Sequence, residues 1–374
     1  MSGSKPADNP NHLGSLWVGR TLYSMSTERE RASCRERLER LSESSLDGES
    51  IRREAIADLQ RVIGFDRWCW PLADPDTLLP LSGLAEHDYG PRLPRALQLE
   101  FSGNDVVAKN VLARSASPAS SLSAETGGDF ARSPRWDEVM RPVGIGDFTI
   151  AACRDTHGCW GWIELYRDQS DSAFDANELQ LLARIGPSLG SALRRTRLGA
   201  GDSGVSDPIL PGVIVLDHSL GVVSWTAAAR AWIDALPAAI LFTAWGILPP
   251  VIYPVATLSR SPNARAEAHA LERTVDGRWL MIHAEPLEGD DEEGKVAVTL
   301  RGATPPETFD HLCRFHGLTR REREVVAALI GGLDTRGVTE RLFISRHTVQ
   351  DHLKSVFEKV GVHSRRELLA AFNA

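Results

Sequence analysis

The 374-residue chain has little cysteine, and none of it in a framework. Cys34, Cys69, Cys153, Cys159 and Cys313 are odd in number and irregular in spacing. That excludes a disulfide-stapled secreted scaffold and fits a reducing cytoplasm. The opening residues, MSGSKPADNPNHLGS, lack the positive-then-apolar pattern of a secretory leader. One uncharged stretch, Ala235 to Ser259, is 25 residues long, but Pro237, Gly246, Pro249, Pro250 and Pro254 interrupt it. A lipid-exposed helix with so many missing donors and kinks is costly, so the expected reading is a buried connector and a new helix, not a membrane span. Positive charge is not in excess either. The net charge of −8 excludes a protein that binds nucleic acid over its whole surface.

The average hides an asymmetry. Residues 314–374 hold 11 Arg and Lys against 7 Asp and Glu, a net of +4, which leaves −12 on residues 1–313. A small basic tail behind a large acidic body is the electrostatic footprint of a nucleic-acid-binding module on a larger chain.

Three motifs invite a chemical reading and fail it. Gly186-Pro187-Ser188-Leu189-Gly190 has the spacing of a nucleophile elbow. That motif needs a strand before the serine, whereas the helical period runs unbroken on both sides here. Gly289 to Lys295 (GDDEEGK) has phosphate-loop spacing, but its carboxylates repel a triphosphate and Val296 stands where a magnesium-binding hydroxyl is required. Cys153, His157 and Cys159 cluster at a hairpin turn without a fourth ligand, so hairpin packing is the simpler account of them. No enzymatic activity, metal or cofactor is expected.

The remainder is modular. Ser26 to Ser45 is charge-rich and helical in pattern, a partner helix or a solvated arm. Ile51, Ala55, Ile56, Leu59 and Ile63 keep the 3.6-residue period of a core-facing helix. Strands are expected at Phe65 to Pro71 and Thr77 to Leu81, a polar loop at Ser115 to Gly128, and a hairpin from Asp147 to Arg154 and Cys159 to Arg167. A long helix then opens on the capping box of Asp175 and Glu178. Trp68 and Trp70 alternate onto one strand face, as do Trp160 and Trp162, with Glu164 continuing the latter face. Two readings stay open: an aromatic core, or the wall of a small-molecule cavity. This order of elements resembles a GAF sensor domain over residues 46–198. After a linker at 199–210, residues 211–303 place two strands, a short Ala-rich helix and three more strands in the order of a PAS domain. Thr226 stands where that family carries Asn.

The C-terminal residues are the most specific. Thr319 and Glu322 form a capping box, Gly331-Gly332 stops the first helix, Asp334 caps a second, and Ser345 caps a third from Arg346 to Val360, about 22 Å long. The residues LTRRERE, LFIS, Thr348-Val349, His352, Phe357 to Lys359, Gly361-Val362 and Ser364-Arg365 closely resemble the LuxR-type helix-turn-helix domain. Gly337 and Thr339 depart from the Glu and Ala usual in the second helix, and Gly337 weakens it by about 1 kcal/mol relative to Ala. Val349, Leu353, Val356, Phe357 and Val360 are the expected buried stripe, which turns Arg346, His347, Gln350, Asp351, Lys354, Ser355 and Glu358 outward. The resemblance implies that Gln350, Asp351 and Lys354 reach base edges, while Arg346, His347 and Thr348 suit phosphates near the helix start.

The whole is therefore expected to be multidomain α+β. Residues 1–45 are a disordered start and charged helix, followed by the GAF-like α/β and PAS-like α/β sensors. A linker at 304–316 then leads to an all-α four-helix LuxR-type domain at 317–374. The expected protein is a cytoplasmic, homodimeric transcription regulator without a phosphorylatable receiver module or ATPase loop. Its expected partners are double-stranded DNA, a small-molecule effector and bacterial RNA polymerase.

Overall fold

A computed structural model describes residues 27–86, 89–103, 105–197, 209–237, 245–289 and 294–372. The opening residues and the GAGDSGVS linker lie outside the described residues, as does most of the GDDEEGK loop. Among the described residues, no helix is long and apolar enough to cross a membrane. The end of the uncharged stretch is instead a helix, Ile252–Ser259, buried along its whole length.

The first module begins with α1 (Glu28–Ser42), opened by a capping box between Thr27 and Glu30. Despite its charge, α1 is no solvated arm. Cys34 and Leu38 are fully buried in a cluster that includes Ile51 and Leu59 of α2 (Gly48–Val62) and Leu189 of α6 (Ala176–Thr196). The sheet behind them comprises β1 (Arg67–Ala73), β2 (Pro80–Ala85), β3 (Ala119–Ser121), β4 (Ile145–Asp155) and β5 (Gly158–Asp168), in the order β2-β1-β5-β4-β3 and antiparallel throughout. Helices α3 (Leu93–Phe101), α4 (Lys109–Arg114) and α5 (Leu122–Thr126) complete the module.

Two local expectations shift. The strand expected at Thr77 to Leu81 begins only at Pro80, because Asp74 Oδ1 accepts from the amides of Asp76 and Thr77 and curls the chain into a loop. The loop expected at Ser115 to Gly128 contains β3 and α5, and the three residues of β3 are too few to show a period. The elbow-like motif lies within α6. A Cβ on Gly186 would stand 2.7 Å from the Ala152 carbonyl oxygen, and one on Gly190 2.7 Å from the Arg154 amide. The two glycines let the helix lie directly on β4, and no strand precedes the serine.

The second sheet repeats the connectivity of the first. Its strands are β6 (Gly212–Leu216), β7 (Val222–Trp225), β8 (His269–Arg273), β9 (Trp279–Pro286) and β10 (Val296–Gly302), in the order β7-β6-β10-β9-β8. Helix α7 (Ala227–Asp234), capped by Thr226, and α8 (Ile252–Ser259) cover one face. The modules are fused. Leu79, Leu81 and Leu97 of the first module are buried in the core of the second. The Ser82 amide donates to Glu272 at 2.7 Å, and the Leu271 amide to Asp74 at 2.8 Å.

Residues 304–316, read from the sequence as a linker, form α9 (Pro305–Phe315). Glu307 reaches back to the Thr304 amide at 2.8 Å and prolines fill the first turn, the signature of a helix start. This helix is wedged where both sheets meet. Phe315 lies between Trp160 of the first module, 5.1 Å away, and Trp279 of the second, 5.8 Å away. His311 is buried against Asp74 and Asp76, and Arg314 donates to the Pro75 carbonyl at 2.7 Å.

Candidate nucleic-acid interface

The C-terminal domain is built from α10 (Arg320–Ile330), α11 (Thr335–Leu342), α12 (Arg346–Val360) and α13 (Arg365–Phe372) around Val325, Leu329, Val338, Val349, Val356 and Leu368. Each start has its cap. Thr319 accepts from the Glu322 amide, Asp334 from Gly337, and Ser345 from Thr348 at 3.1 Å. Gly337 therefore serves the cap of the helix it weakens. Phe343 turns the chain between α11 and α12 in the left-handed conformation, φ 53°, and is 93% exposed. Gly361 closes α12 at φ 77°, where a side chain is disfavoured.

The buried stripe of α12 is narrower than expected. Val349 and Val356 are buried, while Leu353, Phe357 and Val360 are half-buried at the domain surface. Opposite them, Arg346, His347, Gln350, Asp351 and Lys354 are exposed, and Thr348 is half-buried with its hydroxyl 2.9 Å from that of Ser345. One exposed helix face thus carries all five, and the helix start at Arg346 turns its polarised amides toward solvent. His347 Nδ1 lies 2.8 Å from Asp351 Oδ2, one helical turn away. Asp351 is consequently a partnered carboxylate rather than an isolated negative charge on this face.

Ser355 departs from the expected outward set. Its hydroxyl donates to Glu322 Oε1 at 2.7 Å, and Lys359 donates to the same carboxylate at 2.7 and 2.9 Å. Glu322 is only 4% exposed. Burial alone would raise its pKa, but the Lys359, Ser355 and Thr319 donors outweigh burial and hold it at about 2. This one side chain joins the start of α10 to the second half of α12, and so fixes the angle at which the exposed face is presented. Ser355 and Lys359 lie a turn apart on α12, which is the signal that would have paired them with a single partner.

The indoles in the first module take a different arrangement from their alternation. Trp68, Trp70 and Trp160 pack in the core beneath α2 and α6, whereas Trp162 packs on the opposite sheet face. The physical reason is a bulge. Gly161 pairs with Cys153 and Cys159 with Arg154, so Trp160 has no partner between them and the alternation slips by one residue. The same slip sends Cys153 and Cys159 to opposite faces. Among the described residues no group of His, Cys, Asp and Glu is arranged to hold a metal. The four indoles do not line a common cavity. Glu164 does line one, described below.

Comparison with known proteins matches this domain. Residues 316–372 fit the family described as GerE, bacterial regulatory proteins, luxR family. The "Probable transcriptional regulatory protein SgaR" of Hyphomicrobium methylovorum is 45% identical over 53 residues, 14% of this chain and 25% of that protein. The spore germination protein GerE of Bacillus subtilis is 40% identical over 50 residues, 13% of this chain but 68% of that protein. The transcriptional activator protein ExaE of Pseudomonas putida is 28% identical over 167 residues, 43% of this chain and 73% of that protein. The capped helices of this domain and these matches lead to one conclusion: the chain belongs to the luxR family of bacterial regulatory proteins, with residues 316–372 as its helix-turn-helix domain.

Proposed function

We propose that the chain is a sequence-specific DNA-binding transcription regulator of the bacterial cytoplasm. In this reading α12 enters the major groove of double-stranded DNA. The observation that carries it is the exposed face of α12, where Arg346, His347, Gln350, Asp351 and Lys354 stand clear of the core on a family-matched helix-turn-helix. Gln350 suits a bidentate pair with adenine, Lys354 suits guanine, and Asp351 suits cytosine N4. Arg346, His347 and Thr348 suit phosphates. Two copies reading a two-fold site make the functional unit a homodimer, and bacterial RNA polymerase is the partner through which transcription responds.

The GAF-like and PAS-like modules are the sensory part, responding to a small molecule or partner. The wedging of α9 between both sheets supports this reading, because a change at the junction is felt at the start of the DNA-reading domain. Gel shifts on the natural promoter test the DNA assignment. Lys354→Ala and Gln350→Ala each weaken specific binding by about 1–3 kcal/mol, and Lys354→Ala lowers the salt slope by about one. Unchanged affinity in both variants refutes the assignment of this helix.

A further inference from the structure

A cavity of about 320 Å³ lies on the α3 side of the first sheet, at its seam with the second module. That volume is at the lower end of small-molecule sites. Its apolar wall includes Pro71, Leu81, Leu93 and Leu97 of the first module and Pro237 and Pro250 of the second. Leu81 and Leu97 also belong to the core of the second module, so this wall is common to both.

The other wall is ionic and buried. Lys109, 2% exposed, donates to Glu100 at 2.6 Å and lies 3.1 Å from Glu164. Arg135 donates to Glu100 at 2.8 Å and lies 2.6 Å from Asp105, and the Tyr166 hydroxyl donates to Glu164 at 2.8 Å. Three carboxylates thus meet two cations. An ammonium has three donors and a carboxylate about four acceptor sites. Lys109 therefore retains a donor, and Glu164 retains acceptor capacity, on the cavity wall.

We propose that this cavity binds a small molecule with an apolar body and a hydroxyl head, a phenol or an aromatic or alicyclic alcohol, the hydroxyl donating to Glu164 and accepting from Lys109. The inference rests on the reading of the N-terminal region as a sensor and names the chemistry that it senses. A hydroxyl is both donor and acceptor, so it satisfies both neighbours at once. A carboxylate adds negative charge to a cluster that already has a carboxylate in excess, in a site where desolvation magnifies the repulsion. An ammonium is drawn to Glu164 but repelled by Lys109 beside it. A hydrocarbon leaves both polar groups unmatched. Seated here, the ligand touches both modules and ties the second to the first.

The test uses the full chain with phenol, benzyl alcohol, benzylamine and benzoate, titrated by thermal shift and calorimetry. Phenol and benzyl alcohol raise Tm saturably, and benzylamine and benzoate bind at least tenfold more weakly. Glu164→Gln, which keeps an acceptor for Tyr166, weakens alcohol binding at least tenfold. Cys69→Leu, which fills the cavity from β1, abolishes it. Benzoate or benzylamine binding as tightly as phenol overturns the hydroxyl head. Undiminished binding in Cys69→Leu overturns the cavity, and no shift from any probe at millimolar concentration overturns both. DNA affinity is measured in parallel at saturating phenol. Binding that Cys69→Leu removes, with no change in DNA affinity, leaves the site standing and refutes the sensor reading instead.

Discussion

The junction at α9 makes a quantitative prediction, centred on His311. This side chain is 3% exposed, with Nε2 3.2 Å from Asp74 Oδ1 and Nδ1 3.1 Å from Asp76 Oδ2. Arg314, one turn on, also pairs with Asp76. Burial alone would lower the pKa of His311. The charge of Asp74 and the hydrogen bonds to both carboxylates outweigh burial and raise it from 6.5 to about 9. Asp74 is itself fully buried, yet His311 and the Leu271 and Thr77 amides hold its carboxyl well below the usual range. A group whose pKa is raised on docking contributes stability that is complete below the undocked value. That stability is lost as pH climbs through the docked value. The His311 contribution is therefore full below pH 6.5 and gone above about pH 9. A shift of this size corresponds to about 3 kcal/mol. The two carboxylates act in the opposite sense, and their contribution is lost as pH falls below 3.8.

His311→Gln removes the titrating charge while keeping a donor for Asp74. The decisive quantity is the unfolding free energy of wild type minus that of His311→Gln, measured by denaturant titration from pH 6 to 9.5. Subtraction removes the thiols, tyrosines and lysines that titrate over the same range in both proteins. The difference should fall by about 3 kcal/mol across the window. A difference that stays flat refutes a protonated His311 as the clamp between α9 and the Asp74–Asp76 loop of the first module.

Other changes probe the two faces of the DNA-reading domain and the first module. Glu322→Gln removes the charge that Lys359 and Ser355 meet, and should cost about 1–3 kcal/mol in chemical denaturation of the C-terminal helices. It should also weaken DNA binding although Glu322 is buried inside the domain. Asp351→Ala frees His347 and removes a negative charge near phosphates, so it should raise general DNA affinity. In a randomised-site selection it should relax the preference at one base pair, and unaltered selection counts against a base contact by this carboxylate. Gly190→Ala places a methyl 2.7 Å from the Arg154 backbone amide, which cannot move aside. It should lower the stability of the first module by about 1–3 kcal/mol, and a neutral effect in thermal unfolding refutes close helix-on-strand contact as the reason for that glycine.

Regular elements were legible in the sequence where a local signal and a burial pattern coincide. The capping boxes at Thr319 and Asp175 gave helix starts that the structure keeps. The alternation of DFTIAACR and CWGWIELYR gave a hairpin that extends by only a few residues, to β4 and β5. Helix α9 carried the same kind of signal in Thr-Pro-Pro-Glu, but its apolar residues are Phe309, Leu312, Cys313 and Phe315. Phe315 buries against Trp160, far away in sequence, while Leu312 and Cys313 bury in the C-terminal core with Val325 and Phe372, so nothing local distinguishes a wedged helix from a linker. Likewise α1 looks solvated by composition, because the few residues that fix it, Cys34 and Leu38, are outnumbered by charges facing water.

The exposed face of α12 was legible for a simpler reason. A helix on a small core has one buried stripe, and everything else must face outward, so the 3.6-residue period turns Arg346, His347, Gln350, Asp351, Lys354 and Glu358 to solvent. The period fails only at Ser355, where a buried carboxylate 33 residues away reaches the edge of the stripe. The residues read as a candidate cavity wall obey no such rule. Trp160 sits in a bulge, and a single unpaired residue reverses the face assigned to it by alternation. The polar wall of the cavity gathers Glu100, Lys109, Arg135 and Glu164 from separate elements into contacts of 2.6 to 3.1 Å. Each of these residues, taken alone in the sequence, has the composition of a solvated surface. Buried ion clusters are invisible to periodicity because the energy that permits them belongs to the group. Any one of the four buried without the others would be an uncompensated charge, and only the assembled sheet and helices make the set affordable. That dependence is also why the cavity, rather than the indoles, carries the proposed hydroxyl site.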